Sequence, residues 1–158
     1  TMRAPHLMIV EARFYEDLAD ELVRGATAEC GAQGATFERF AVPGAFEIPA
    51  AIRLGLEARG ADGTPRFDGF VALGCVIRGE TSHYDYVCAE SARGLMALAT
   101  GPGAAIGFGI LTCETWEQAW TRSCVTEGNK GRDAVAACLA IVELRRAFSP
   151  AASVLAPG

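Results

Sequence analysis

The chain alternates between short runs of apolar residues and longer stretches in which apolar residues recur every three or four positions. A short apolar run bounded by turn-forming residues is typical of a buried strand, whereas the three-to-four spacing is typical of one face of a helix. The pattern predicts four strands, over 6–10, 36–42, 69–77 and 104–112. It predicts five helices, near 16–31, 47–59, 83–99, 115–124 and 131–147.

Two of these helices have a continuous apolar face, and two of the strands are apolar throughout. The helix at 83–99 places six residues on one face: Tyr84, Val87, Cys88, Ser91, Leu95 and Leu98. The last helix repeats the spacing at Val135, Cys138, Leu139 and Val142. The strands at 69–77 and 104–112 do not alternate with polar residues, which is expected of parallel strands covered on both faces. We therefore predict an α/β fold, a three-layer α/β/α sandwich with a four-stranded parallel sheet.

No repeat, linker or low-complexity segment divides the chain. A single domain over 1–158 is expected, with a flexible C-terminal segment at about 149–158 that is rich in small residues and proline.

Composition narrows the classes of partner. Hydrophobic residues make up 51% of the chain and the mean hydropathy is +0.21, which exceeds what one small core usually needs and favours a homo-oligomer. The net charge is −5 and the basic residues are scattered, so no nucleic-acid-binding face is expected. A helix needs about 20 consecutive apolar residues to cross a bilayer, and no apolar run in the chain is that long. The N-terminal sequence lacks the features of a secretory signal. We therefore expect a cytoplasmic protein without a membrane partner.

The six cysteines are spread along the chain without a CxxC pair. A disulfide framework is not indicated in a chain this apolar, and most of the cysteines are expected to be small buried residues. Cys75, His83 and Cys113 could all lie at strand ends, but the paired spacing typical of zinc ligands is missing. No metal site is predicted.

Polar and aromatic residues follow every predicted strand. The four loops read EARFYED, VPGAFEIP, RGETSH and TCETWEQ in chain order. In open parallel sheets, ligands bind beyond the carboxyl ends of the strands, where such loops gather. The sequence therefore predicts one rim that combines aromatic, carboxylate, imidazole and hydroxyl groups.

The loop RGETSH leads into the helix at 83–99 and has two interpretations. Unpaired backbone N–H groups and the helix dipole make a helix start attractive to an anion such as phosphate, and Gly79 would permit its close approach. Alternatively Thr81 or Ser82 caps the helix, which the segment alone favours. His83 lies in the first turn, where the dipole favours a neutral imidazole, so it is either a proton shuttle or a surface histidine without a role.

Other catalytic signatures are missing from the sequence. There is no GxxxxGK[ST] and no GxSxG motif, and GPGAAIGFG precedes its strand instead of linking a strand to a helix. Trp116 and Trp120, one helical turn apart, are expected to be packing or interface residues.

Read together, the loops resemble those of the lumazine synthases, which catalyse the penultimate step of riboflavin biosynthesis. The resemblance runs from about residue 6 to 148. It is carried by six motifs in order: ARF (12–14), VPGAFEIP (42–49), GCVIRGETSHYDYV (74–87), FGILT (108–112), EQAWTR (117–122) and GNKGRDA (128–134). Any one motif would be weak evidence, but six at family-like spacing are specific. The resemblance implies a flavodoxin-like, doubly wound fold and no metal or organic cofactor.

The resemblance also implies a reaction and its substrates. The family condenses 5-amino-6-(D-ribitylamino)uracil with 3,4-dihydroxy-2-butanone 4-phosphate, releasing phosphate and water as a pteridine ring closes. The implied substrate-binding residues are Phe14 on the pyrimidine, Phe46 and Glu47 at the ribityl chain beside Gly44 and Ala45, Cys75, Val76 and Ile77 around the ring, and Phe108 from an adjacent subunit.

For the phosphate, the resemblance implies the backbone N–H groups of Glu80 and Thr81, clamped by Arg122 of a neighbouring copy, whose planar fork suits phosphate oxygens. With the resemblance, the anion interpretation of this loop is preferred to the cap. His83 is implied to move protons during Schiff-base formation, phosphate loss and ring closure, oriented by Asp133.

Lys130 fits a basic position near the family's site, and its alternative is a solvated lysine at a helix start. Where many relatives have a lysine, this chain has Thr126 followed by Glu127, so one positive charge near the phosphate entry is missing.

Family members assemble as pentamers with active sites between neighbours, and some form icosahedral shells. The short segment before the first strand favours a free pentamer or a dimer of pentamers. Two alternatives remain: a flavin-binding relative that has lost catalysis, and a shell protein whose function is assembly.

Overall fold

The computed structural model describes residues 3–149, in which four strands and five α-helices alternate. The strands are β1 (His6–Ala12), β2 (Thr36–Val42), β3 (Gly69–Ile77) and β4 (Ile106–Cys113). The helices are α1 (Glu16–Ala32), α2 (Ile48–Glu57), α3 (His83–Thr100), α4 (Trp116–Ser123) and α5 (Lys130–Phe148).

The four strands form one parallel sheet in the order β2-β1-β3-β4. The chain starts in the middle of the sheet, moves to one edge and then returns past its start, which makes the fold doubly wound. One apolar layer joins the sheet to α1, α4 and α5, and a second joins it to α2 and α3. The predicted three-layer α/β/α sandwich with four parallel strands is therefore confirmed.

Helix α5 packs closely against both the sheet and the neighbouring helix α1 because glycines stand at the points of contact. A Cβ at Gly107 of β4 would overlap the carbonyl oxygen of Ala134 in α5. A Cβ at Gly131 of α5 would overlap the carbonyl oxygen of Leu22 in α1. The first turns of α5 are thus fixed from both sides.

Most element bounds differ from the predicted ones by one or two residues; for example, β1 extends to Ala12 and β4 begins at Ile106. Two further differences concern the second helix and the coverage of β4. The helix predicted near 47–59 is a short 3-10 helix over Ala45–Glu47 followed by α2. The expectation that β4 is covered on both faces is wrong, since the side chain of Phe108 is 52% exposed. The reason is that β4 is an edge strand, and α3 leaves part of its outer face uncovered.

Three further expectations concern the chain ends, membranes and cysteines. The segment predicted to be flexible lies outside the described residues, except for Ser149. Within residues 3–149, no helix is both long and apolar enough to span a membrane. All six cysteines are free thiols, and four of them are buried: Cys30, Cys75, Cys113 and Cys138.

Candidate active site

A cavity of about 460 Å³ opens at the carboxyl ends of the strands, on the α3 side of the sheet. Three connections build it: the β1–α1 loop, the β2–α2 loop and the segment from the end of β3 into α3. Its lining residues are Phe14, Tyr15, Pro43, Gly44, Ala45, Phe46, Glu47, Cys75, Val76, Ile77, Gly79, Thr81, His83, Tyr84 and Val87. The rim expected from the four loop sequences is therefore formed by three of them within one chain.

The β1–α1 loop presents Phe14 at the cavity. The Phe14 side chain is 74% exposed, and its ring meets Tyr15 edge-on with 4.9 Å between ring centroids. Beside it, Arg13 donates to the buried carboxylate of Glu11 at 2.9 Å, and its backbone N–H donates to the carbonyl of Val42 at 3.1 Å. The loop is therefore held to β1 and to the end of β2, while an apolar ring stays free to stack on a flat ligand.

The β2–α2 loop supplies Phe46 and Glu47 through the 3-10 helix. The Phe46 side chain is 58% exposed although it is aromatic, and Ala45 next to it is buried. The buried alanine anchors the turn and leaves the aromatic ring and the carboxylate at the cavity.

The end of β3 forms the floor of the cavity with Cys75, Val76 and Ile77. Burial raises the pKa of the Cys75 thiol to about 12, with smaller contributions from Cys113. Cys75 is thus protonated at neutral pH and is not suited to be a nucleophile. Within residues 3–149, no three His, Cys, Asp or Glu side chains are grouped to hold a metal ion.

The loop from Gly79 to Ser82 exposes backbone N–H groups to the cavity. The Thr81 hydroxyl accepts a hydrogen bond from the His83 N–H at 3.3 Å, whereas the Ser82 side chain makes no capping bond. In the part of the chain that the structure describes, the N–H groups of Gly79, Glu80 and Thr81 have no acceptor. A Cβ at Gly79 would meet nothing within 4 Å. Thr81 thus caps the His83 N–H weakly, and the N–H groups from Gly79 to Ser82 remain available to an anion.

His83 begins α3 and faces the same cavity. Among residues 3–149, no side chain hydrogen-bonds to its ring. An imidazole exposed beside unpaired N–H groups can exchange protons with a ligand bound on those groups.

Five predicted site residues are not among the lining residues of this cavity: Glu80, although its neighbours Gly79 and Thr81 are, and Phe108, Arg122, Lys130 and Asp133, which lie on other elements. Phe108 lines a separate apolar groove between β4 and α3. Arg122 is exposed on α4 and donates to the carbonyl of Gln118 at 3.1 Å. Phe108 lies on β4, Arg122 on α4, and Lys130 and Asp133 on α5. The cavity is built from the loops after β1, β2 and β3 instead.

Asp133 does not contact His83 of the same chain. Its carboxylate accepts from Lys130 at 3.3 Å and from Arg132 at 3.1 Å. Burial opposes the ionisation of Asp133, but the hydrogen bonds from Arg132 and Lys130 outweigh it and lower its pKa. Orientation of His83 by Asp133 therefore requires a second copy of the chain.

Comparison with known proteins identifies the family of the chain. The family model of 6,7-dimethyl-8-ribityllumazine synthase matches residues 4–146. The chain belongs to the lumazine synthase family. It is 55% identical over 142 residues to 6,7-dimethyl-8-ribityllumazine synthase 1 of Rhizobium meliloti (strain 1021), covering 89% of this chain and 92% of that protein. It is 52% identical over 145 residues to the 6,7-dimethyl-8-ribityllumazine synthase of Agrobacterium fabrum, covering 92% of this chain and 97% of that protein.

Relative to the lumazine synthase motifs, the structure adds residues that the sequence did not single out. Tyr15, Pro43 and Val87 also line the cavity. Arg78 directly follows β3 and contacts the Tyr84 ring and the carboxylates of Asp85 and Glu114. The available signal for Arg78 was a single cation placed directly after a strand that is otherwise apolar.

Proposed function

We propose that this chain condenses 5-amino-6-(D-ribitylamino)uracil with 3,4-dihydroxy-2-butanone 4-phosphate to give 6,7-dimethyl-8-ribityllumazine, releasing phosphate and water. The name of the relatives supplies the product, and the family resemblance supplies the two substrates. The observation that carries the proposal is that one cavity holds the His83 imidazole and the backbone N–H groups beside Thr81, none of which has a hydrogen-bond partner among residues 3–149. Those two features are what a phosphate-releasing condensation needs side by side.

The pyrimidine substrate is assigned to the aromatic part of the cavity. Phe14 stacks on the pyrimidine ring, and Cys75, Val76 and Ile77 border it from the floor. Phe46 and Glu47 receive the ribityl chain, whose hydroxyl groups can donate to the Glu47 carboxylate. Gly44 and Ala45 complete this wall without side-chain bulk.

The phosphate of the second substrate is assigned to the N–H groups of Glu80 and Thr81. These groups lie at the N-terminal, positive end of the α3 dipole, which attracts an anion. The Glu80 side chain is exposed and the contact uses its backbone, so its charge need not oppose binding. Arg122 from another copy supplies the positive charge, and Lys130 lies on the same half-site.

The chemistry proceeds by proton transfers that His83 can assist. The amine of the pyrimidine attacks the ketone, and loss of water gives a Schiff base. Elimination of phosphate follows, and the second amine then closes the ring with loss of another water. General acid–base assistance is typically worth about 10²- to 10⁴-fold, and holding the two substrates together contributes further.

We propose that the site is completed between copies in a ring, with a pentamer as the assembly. Support comes from the separation of the predicted residues into two groups on one chain, one at the cavity and one on β4, α4 and α5. A head-to-tail contact between different surfaces closes into a ring when the rotation permits. The exposed Phe108 offers an apolar surface for that contact.

We further propose a cytoplasmic location, in keeping with six free thiols.

The test is to mix the purified protein with both substrates and follow the absorbance and fluorescence of the lumazine. Turnover that scales with enzyme concentration above the spontaneous reaction is the expected result. A rate no higher than the spontaneous reaction at every enzyme concentration would overturn the proposal. If riboflavin binds tightly while turnover is missing, the flavin-binding alternative is selected, for which the altered Thr126 and Glu127 are the sequence evidence.

A further inference from the structure

Arg78 connects three segments around the candidate phosphate loop. Its guanidinium lies 4.3 Å from the centre of the Tyr84 ring, its Nη1 donates to Asp85 at 3.2 Å, and its Nε donates to Glu114 at 2.9 Å. Its backbone N–H donates to the carbonyl of Cys113 at 2.9 Å. One side chain thus joins the end of β3, the first turn of α3 and the β4–α4 connection.

The segment between these fixed points is the loop that carries the open N–H groups. Gly79, Glu80, Thr81 and Ser82 have exposed side chains or none, and their one internal bond is the weak contact from the His83 N–H to Thr81. The Ser82 carbonyl accepts from the N–H groups of Asp85 and Tyr86 in the first turn of α3, and no other hydrogen bond among residues 3–149 holds the loop between its ends. The spacing of its N–H groups therefore depends on how firmly Arg78 and Tyr84 fix the two ends.

Glu114, which accepts the hydrogen bond from Arg78, is itself held in place by α4. Its backbone N–H donates to the Gln118 side chain at 2.8 Å, and the Thr115 hydroxyl caps α4 by accepting from the Gln118 N–H at 3.2 Å. Arg78 is consequently braced against the start of α4, the helix that also carries Arg122. The contact between Arg78 and Glu114 thus links the anion-binding loop of one chain to α4, the helix whose Arg122 is proposed to reach the site of another copy.

Charge argues against a direct role of Arg78 in binding phosphate. Its single positive charge is already shared by the carboxylates of Asp85 and Glu114, which together carry two negative charges. The stacking on Tyr84 further limits the directions in which the guanidinium can turn.

We propose that Arg78 is a positioning residue that sets the geometry of the anion-binding loop without binding the phosphate itself. This inference rests on the proposed function, in which the loop receives the substrate's phosphate. It predicts that loss of the Arg78 contacts weakens phosphate recognition and leaves pyrimidine recognition unchanged.

The first experiment compares the wild type with Arg78→Met. The KM for the phosphorylated ketone and the inhibition constant for inorganic phosphate should rise about 5- to 20-fold, as expected from losing two exposed ion pairs and one cation–π contact. The KM for the pyrimidine should change by less than about twofold, because Arg78 is not among the residues that line the cavity. A merely structural role would raise both KM values together. Arg53→Met, which removes an exposed ion pair with Glu57 on α2, is the matched control and should change neither constant.

The second experiment uses Glu114→Gln, which keeps the shape of the side chain and removes its charge. If Arg78 only positions the loop, this variant should weaken phosphate binding about two- to fivefold. If Arg78 binds the phosphate directly, freeing it from Glu114 should instead tighten phosphate binding, and the inference is overturned. Unchanged phosphate constants in both variants would overturn it equally.

Binding of inorganic phosphate is also measured by its protection against thermal unfolding, which rises with ligand affinity for the folded state. That readout needs no turnover. A wild type without turnover therefore rejects the proposed function, whereas equal protection of wild type and both variants rejects the role of Arg78.

Discussion

The two histidines of the chain have opposite surroundings, and this decides which of them can do chemistry. His6, at the start of β1, is bonded through Nδ1 to Thr36 at 2.7 Å and through Nε2 to Glu38 at 2.8 Å. Its ring also stacks on Phe67 with 5.6 Å between ring centroids. His83 has no such partners among the described residues and opens onto the cavity. One ring nitrogen of His83 can therefore take up a proton while the other gives one up.

We predict that His83→Ala lowers kcat about 10²- to 10⁴-fold without abolishing the reaction, because the two substrates are still held together. The KM for the pyrimidine should change little. Steady-state kinetics with both substrates measures the effect. His6→Ala is the control, and it should leave kcat unchanged since His6 lies at the opposite ends of the strands. Equal kcat values for His83→Ala and the wild type would remove His83 from the mechanism.

The sequence could place His83 correctly because the relevant information is local. An apolar strand, a glycine and the start of a helix lie within a few residues of it, and the structure has α3 begin at His83 as expected. The contacts of Arg78 could not be predicted in this way. Glu114 is 36 residues further along the chain, and only the pairing of β3 with β4 brings the two side chains together.

At the scale of elements, the two apolar strands β3 and β4 have different environments. β3 lies inside the sheet and is buried from Gly69 to Cys75. β4 lies at the edge, where Phe108 is exposed on the α3 side while Gly107 allows α5 to approach on the other. The strand is thus tightly covered by its own chain on one face only.

Replacing Gly107 tests this close packing. Gly107→Ala should lower the free energy of unfolding by about 1–3 kcal/mol, because the new Cβ overlaps the backbone of α5 at Ala134. Urea denaturation at a fixed protein concentration measures the change. Gly31→Ala in α1, where a Cβ would meet nothing within 4 Å, is the matched control and should be neutral or stabilising by up to about 1 kcal/mol. The same urea midpoint for Gly107→Ala and the wild type would contradict the close contact of β4 and α5.

Hydrophobic spacing predicted where the strands and helices lie. It did not predict which faces of the strands are buried by other parts of the same chain. β2 and β3 have the predicted bounds: β2 ends before Pro43 and Gly44, and the apolar run of β3 ends before Arg78 and Gly79. The run at 104–112 was equally apolar, and from it we expected coverage on both faces. An apolar side chain such as Phe108 indicates that a surface will be covered, but it does not tell whether the same chain or another copy covers it.

At the scale of the whole molecule, the predicted site residues fall into two groups that one chain does not bring together. Phe14, Phe46, Thr81 and His83 share the cavity, and Arg122 lies outside it on α4. The sequence resemblance named both groups and implied that they come from neighbouring copies, and within one chain the structure keeps Phe108 and Arg122 outside the cavity. We propose that each working site draws on two neighbouring copies.

The central claim is that two half-sites on one chain meet only between copies, and complementation measures it most directly. His83→Ala and Arg122→Ala are each purified alone and also co-expressed in equal amounts so that mixed assemblies form. Because each site then draws its two halves from random neighbours, about a quarter of the sites should be intact. The account predicts that the mixed assemblies recover roughly a quarter of the wild-type activity, far above either variant alone. Mixed assemblies no more active than the average of the two separate variants would contradict it.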